Sequence, residues 1–311
     1  MRLQSFTCYV AVYAVVIAGL LLPVCAKAAE SPKTGRPIQI VVTIPVLKDF
    51  VEQVGGSHVQ VLSLLSGLES EHTYSPKPSD IIAVRKAQLL VEIGVGLEVW
   101  VSSLVKNAGS ASLRVITTSK GIALIRDQSR DDGPPASTDN THDGNPHIWL
   151  DPENAKIMLR HITEALIKVD PSHASEYRDN QASYLRQLDQ LQKDLAERLK
   201  AITDRRILVY HPAWPYFARR FGFRIIDEIV TQAGSEPSAH HLQELISRIR
   251  REGIRVIVSE PQMNQKIPDV LARETGARIV VLSPLPGAMP GTETYLSLLR
   301  YNVIQLANAL S

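Results

Sequence analysis

The sequence predicts an α/β protein of two lobes, each built on a largely parallel sheet flanked by helices, with one long rigid helix joining them. Short β-branched runs alternate with amphipathic segments, the alternation occurs twice, and one uninterrupted helical stretch separates the two series. The chain has 311 residues, 44% of them hydrophobic, enough to bury a large core without cross-links. That hydrophobicity argues against disorder, and 21% charged residues argue against a multi-span membrane protein. Lys+Arg total 34 against Asp+Glu 32, and the aromatic residues are scattered, so nothing marks a nucleic-acid surface.

Residues 1–28 read as a secretory signal peptide. Arg2 is followed by the uncharged apolar run Tyr9–Val24, and Ala26-Lys27-Ala28 puts small residues at −3 and −1 of a cut before Ala29. The run is short for a membrane anchor, and Pro23-Val24 are poor neighbours for lipid attachment at Cys25, so a lipid-anchored form is the less favoured reading. Cleavage would remove Cys8 and Cys25 together with Arg2 and Lys27, leaving 32 basic against 32 acidic residues and no cysteine. The mature chain would then have no disulfides and no thiolate ligand.

The first lobe is expected over residues 29–170. Strands are predicted at 38–43, 59–65, 89–91 and 113–117, because continuous β-branched runs between turn residues suit a sheet covered on both faces. Helices are expected near 46–55, 79–87 and 97–108. Residues 126–145 are polar, acidic and Pro/Gly-containing, which predicts an exposed loop. Asp151 as N-cap and Pro152 at the first helical position start a helix to about Val169.

Residues 171–201 form the predicted connector. Tyr177, Tyr184, Leu188, Leu191, Leu195 and Leu199 recur at helical spacing without an internal Gly or Pro, giving a helix about 43 Å long. The second lobe is expected over 202–311. It has strands at 206–210, 224–226, 255–259 and 278–282, and helices at 211–221, 238–251, one ending near Gly276, and 292–310. Two lobes joined in this way leave a cleft, a favoured position for a ligand.

Nine histidines remain after the leader, and their contexts differ. His161 and His173 read as helix-packing residues and His58 as part of a turn. His240 and His241, adjacent in one helical turn, point to different faces. His142 and Asp143 lie in the acidic loop. His72, His147 and His211 each stand where a loop meets an ordered element, and His211 follows a strand, where ligands collect in α/β sheets. Separations of 75 and 64 residues are a weak signal. Three unrelated stabilising histidines and one shared metal site both fit the pattern. A shared site would suit Zn²⁺, which takes neutral imidazole in tetrahedral sets, with a carboxylate close by to offset its charge.

Several segments in order carry a further resemblance: EHTYSPKPSD (71–80), NPHIWLDPENA (145–155), VYHPAWPYFARRFG (209–222), EPSAHHLQELI (236–246) and VIVSEPQ (256–262). Over most of the mature chain the sequence resembles the periplasmic metal-binding component of a bacterial ABC importer, of the cluster that captures zinc or manganese. The resemblance implies two α/β lobes bridged by a long helix, and His72, His147 and His211 as ligands. Histidine at the third position is typical of zinc-type relatives and Glu of manganese-type ones, so Zn²⁺ is the expected cargo and Mn²⁺ the second candidate. Relatives commonly supply a fourth ligand from Asp in a V-L-D-P-L segment, where this chain has Ser283. Water, Glu71 or Glu260 are the expected replacements, with Glu260 alternatively orienting a ligand ring. A weak collecting role for the 126–145 loop, through His142 and Asp143, competes with a plain solvated loop.

The resemblance implies periplasmic capture and delivery to an inner-membrane ABC permease with its cytoplasmic ATPase, by a monomer that is not an enzyme and binds no nucleic acid. A manganese or iron carrier is the nearest alternative. A zinc hydrolase is disfavoured by the absence of an H-E-x-x-H or similar motif, and a surface adhesin by the absence of repeats or adhesive tracts. Metal affinity is expected to fall on acidification, because imidazole must be neutral to ligate.

Overall fold

Runs such as IQIVV and RILV fold as the central strands of two four-stranded sheets, their side chains covered on both faces. The computed structural model describes residues 36–126, 144–231 and 234–311. Residues 1–28, read from the sequence as a signal peptide, with both cysteines, and His142 and Asp143 lie outside them. In the amino-terminal part the order is β1 (Ile38–Val42), α1 (Pro45–Gly55), β2 (Val59–Ser63), α2 (Pro78–Lys86), β3 (Leu89–Glu92), α3 (Val101–Ala108) and β4 (Arg114–Thr117). The strands pair in parallel in the order β2-β1-β3-β4, with Val41 opposite Leu62 on one side and Leu90 on the other.

Two longer helices follow, the first opening on a proline. In α4 (Pro152–Val169) the Asp151 carboxylate accepts the Glu153 N–H at 2.9 Å, as an N-cap does. The long helix α5 (Ala174–Leu199) has 26 residues, about 39 Å. It starts later than its apolar pattern predicts, because Pro171 opens a short 3₁₀ turn over Pro171–His173, and Asp170 there accepts from the Tyr177 hydroxyl at 2.8 Å.

The carboxyl-terminal part repeats the alternation with β5 (Arg206–Val209), α6 (Pro215–Phe221), β6 (Arg224–Glu228), α7 (Ala239–Glu252), β7 (Val256–Ser259), α8 (Lys266–Thr275), β8 (Arg278–Val281) and α9 (Tyr295–Leu310). Its sheet order, β6-β5-β7-β8, repeats that of the first sheet, again all parallel. Two helix starts differ from expectation. Helix α6 begins at Pro215 rather than His211, since Pro212 and the Ala213 N–H to His211 C=O bond (2.8 Å) hold a tight turn first. Helix α9 begins at Tyr295, where Thr294 caps it by accepting from the Ser297 N–H.

The buried stripe of α5 packs on α1, α4 and α9, so the long helix joins the two parts. Asp49 of α1 fastens this junction: one carboxylate oxygen accepts the Tyr184 hydroxyl and the Tyr295 N–H, each at 2.9 Å. The main apolar core is continuous from Ile38 through Leu188 to Leu310, and a smaller cluster around Leu208, Leu245, Ile257 and Leu271 lies beneath α7 and α8. No helix among the described residues is long and apolar enough to cross a membrane.

Candidate metal centre

Three loops bring the singled-out histidines together. His72 lies in the loop between β2 and α2, where the start of α2 fixes the chain: Asp80 accepts the Lys77 N–H and the Tyr74 hydroxyl, both at 2.7 Å. Trp100 packs edge-on against Tyr74 and donates its indole N–H to the Glu71 carbonyl at 3.1 Å, which sets the residue beside His72. His147 precedes the short turn Ile148–Leu150 that leads into α4. His211 sits two residues beyond β5, in the turn that delays α6.

The ring centroids lie 5.0 Å (His72 and His147), 5.2 Å (His147 and His211) and 6.1 Å (His72 and His211) apart. His72 Nε2 and His147 Nε2 are 3.1 Å apart, and Glu71 Oε1 is 3.4 Å from His147 Nε2 and 3.9 Å from His72 Nε2. One donor atom from each of Glu71, His72, His147 and His211 falls within 4.8 Å of all the others. Tetrahedral zinc with nitrogen ligands at about 2.0–2.1 Å needs ligand atoms about 3.3 Å apart, so small side-chain shifts complete such a set. Among the described residues, this is the one cluster of His, Cys, Asp or Glu side chains with such spacing.

Polar accounting also points to a cation. His211 Nε2 and Glu71 Oε1 are buried with no hydrogen-bond partner among the described residues, as are Ser70 Oγ, Glu260 Oε2 and Gln262 Oε1. Buried polar groups are rarely left so, and a cluster of them marks a site that takes a ligand. The surroundings also fix which ring nitrogens carry protons. His211 Nδ1 faces Glu260 Oε1 at 2.8 Å, and the same oxygen accepts the Trp214 indole N–H at 3.0 Å. A carboxylate can only accept, so the proton is on Nδ1 and the Nε2 lone pair is free.

Charge is distributed to favour neutral rings at two positions. Burial, then the neighbouring His147, lowers the pKa of His72 to about 3. Burial, then His211, holds His147 well below its ordinary value. Burial works against a charge on His211 too, but there the Glu260 carboxylate outweighs it and raises the pKa. Glu71 and Glu260 together match the double charge of a divalent ion, and three imidazoles with one carboxylate form a borderline-soft set that Zn²⁺ fits, with Mn²⁺ the harder alternative.

The three candidates for the fourth position separate clearly. Glu71 stands among the rings. Glu260 lies behind His211, its Oε1 used by His211 and Trp214. Ser283 is buried with its hydroxyl donating to the Leu285 carbonyl (2.8 Å) and accepting the Leu285 N–H (3.1 Å), so it is bound to its own turn. Gln262 reaches Ser283 Oγ at 3.4 Å. The other described histidines stay apart: His58 and His173 stack on each other at 3.8 Å, His161 bonds the Thr118 carbonyl, His241 bonds the Glu228 carbonyl, and His240 is exposed. Sequence reasoning did not single out Asn145 or Trp100, which hold the loops and rings. The one local signal was an Asn two residues before a loop histidine, the spacing of a side-chain turn.

Residues 40–309 match the family model described as ZnuA, zinc-uptake complex component A, periplasmic. The chain belongs to the ZnuA family. Its members are solute-binding proteins of metal uptake rather than enzymes, and their periplasmic description places this chain outside the cytoplasm. A high-affinity zinc uptake system protein ZnuA of Brucella abortus (strain 2308) is 28% identical over 320 residues, covering 92% of this chain and 93% of that protein. The iron-binding protein YfeA of Yersinia pestis is also 28% identical, over 98% of this chain and 97% of its own length. A crystal structure of ZnuA superposes with a TM-score of 0.78 at 30% identity, covering 89% of this chain and all of that one. Family membership thus agrees with a fold of two parallel sheets bridged by a long helix.

Proposed function

We propose that this chain captures one Zn²⁺ outside the cytoplasm and delivers it to a membrane-embedded ABC permease driven by a cytoplasmic ATPase. The observation that carries the reading is the convergence of His72, His147 and His211 with Glu71, whose donor atoms lie within 4.8 Å of one another and include two buried atoms without partners. In this reading those four residues are the ligands, and Glu260 orients His211. The leader over residues 1–28 is removed before Ala29, and the mature chain acts as a monomer of two lobes, 29–170 and 202–311, joined by the segment 171–201. Relatives named for zinc and the histidine at position 211 support zinc as the cargo.

Equilibrium dialysis with metal analysis is expected to find about one zinc per chain, and His147→Ala to abolish that stoichiometry. A variant that keeps it removes His147 from the site. The second reading, a manganese or iron carrier, is favoured by the carboxylate in the set and by the relative named for iron. Zn²⁺ and Mn²⁺ titrations read by thermal midpoint separate the two, because the tighter cation raises the midpoint further at equal concentration. A larger rise with Mn²⁺ replaces the zinc reading.

A further inference from the structure

Asn145 is buried, and each of its polar groups is used. Its side-chain orientation follows from two partners that have only one role each. The His147 backbone N–H can only donate, and it meets Asn145 Oδ1 at 3.0 Å. The Pro212 carbonyl can only accept, and it takes the Asn145 Nδ2–H. With the amide so fixed, Oδ1 stands 3.1 Å from His147 Nδ1 and must accept a proton from it. Nδ1 therefore carries the hydrogen, and the Nε2 lone pair is turned toward His72 Nε2 and Glu71 Oε1. The backbone is tied as well: Asn145 N–H donates to the Ile125 carbonyl at 2.7 Å, and its carbonyl accepts the Tyr216 hydroxyl at 2.9 Å.

We propose that Asn145 is a positioning residue of the centre, selecting the metal-ready tautomer of His147 and tying the His147 loop to the loop that carries His211. The metal consequence rests on the carrier reading; the tautomer does not. A neutral amide suits this position. His211 already has a carboxylate behind it, and Glu71 lies among the rings, so a third carboxylate at 145 would add charge beyond what a divalent ion offsets. An acceptor without charge orients His147 while leaving that balance alone. The amide also has a donor for Pro212, which a carboxylate lacks.

The test is long-range ¹H–¹⁵N NMR of the metal-free chain at about pH 8, where His147, kept from protonation by its burial, is neutral, together with zinc affinity by competition against a chelator. Wild type is expected to show His147 protonated on Nδ1 alone. Asn145→Ala is expected to show both tautomers and to bind zinc about 10- to 100-fold more weakly. Asn145→Asp keeps the acceptor and loses the donor, so it retains the Nδ1–H tautomer while zinc dissociates faster. A wild-type spectrum with His147 protonated on Nε2 overturns the proposal without any variant. So does an Asn145→Ala protein with an unchanged tautomer and an affinity within about twofold of wild type. If Asn145→Ala does not fold, the wild-type and Asn145→Asp spectra still decide. A wild-type chain that has the expected tautomer but takes up no zinc removes the carrier reading and supports the role of Asn145 in orienting the ring.

Discussion

In the amino-terminal sheet a carboxylate bridges the carboxyl ends of β1 and β3; in the carboxyl-terminal sheet another bridges the ends of β5 and β7. The strand orders are the same, so both crevices lie where that order turns. Their partners differ. Glu98 accepts the Thr43 hydroxyl (2.7 Å) and the Ile93 N–H (2.8 Å) on one oxygen and the Gly94 N–H (3.0 Å) on the other. These bonds hold the Gly94-Val95-Gly96 turn, in which all three residues have positive φ, including 57° at the β-branched Val95. Glu260 instead spends one oxygen on His211 and Trp214 and leaves the other without a partner. Topology supplies a crevice in both sheets; side chains decide whether it is filled from within or left to a ligand.

The strongest test of that contrast removes one side chain from each crevice. His211→Ala should weaken zinc binding by more than about 100-fold, a larger loss than removal of an outer partner causes. Thr43→Val, at the corresponding strand end of the other sheet, should leave zinc affinity within about twofold while lowering stability by about 1 kcal/mol for the lost hydrogen bond. Competition with a chelator and chemical denaturation read the two quantities. Equal zinc losses would mean that the crevices are coupled rather than independent.

The closed crevice has a pH signature of its own. Burial, only partly offset by its hydrogen bonds, raises the Glu98 pKa from 4.5 to about 7. The folded state therefore holds a proton that the unfolded state has released between those values, and stability contributed by this group falls as pH rises from about 4.5 to about 7. The full effect is on the order of 3 kcal/mol. Denaturation midpoints measured across that range should decline with pH in wild type, and Glu98→Gln should flatten the decline. An unchanged slope in the variant assigns it to another group.

How much of this was legible in the sequence depends on how local the cause is. The strands were, because IQIVV and VIVS announce double-sided burial by composition alone. So was the connector, through Tyr184, Leu188, Leu191 and Leu195. Its true start was less so, since Pro171 competes with the apolar repeat and wins the first turn. The three histidines stood out only by their places at loop ends. What held them was less visible, because the partners adjoin only after folding: Asn145 ties His147 to Pro212, 67 residues away, and Glu260, read from the sequence either as a ligand or as orienting a ring, is 49 residues from His211. The ranking of Glu71 over Glu260 and Ser283 likewise needed coordinates, since all three are polar residues in plausible segments.

A middle-sized effect sharpens the open crevice. Glu260→Gln can still accept from His211 and Trp214, but it removes the charge, and zinc affinity should fall about 10- to 100-fold. It should also move the pH dependence. His72 and His147 are already neutral at mildly acidic pH, so His211, with its raised pKa, supplies the competing proton. Wild-type affinity should therefore drop about tenfold per pH unit below that pKa, not the thousandfold that three titrating imidazoles would give. Without the carboxylate, burial prevails and the decline should begin at lower pH. A steeper wild-type slope would return all three rings to the titration.

The smallest effect concerns Ser283, the residue at the strand end next to Glu260. Its hydroxyl both donates to and accepts from the backbone of Leu285, a closed pair of bonds that leaves it little freedom to turn toward the histidines. Ser283→Ala should therefore lower stability by about 1–2 kcal/mol, through the unpaired Leu285 groups, and leave zinc affinity within about twofold. A loss of tenfold or more in affinity, with the stability change no larger than expected, would show that the hydroxyl reaches the metal through a water. In that case the open crevice extends across β8 as well, and the contrast with the amino-terminal sheet becomes one of three strand ends rather than two.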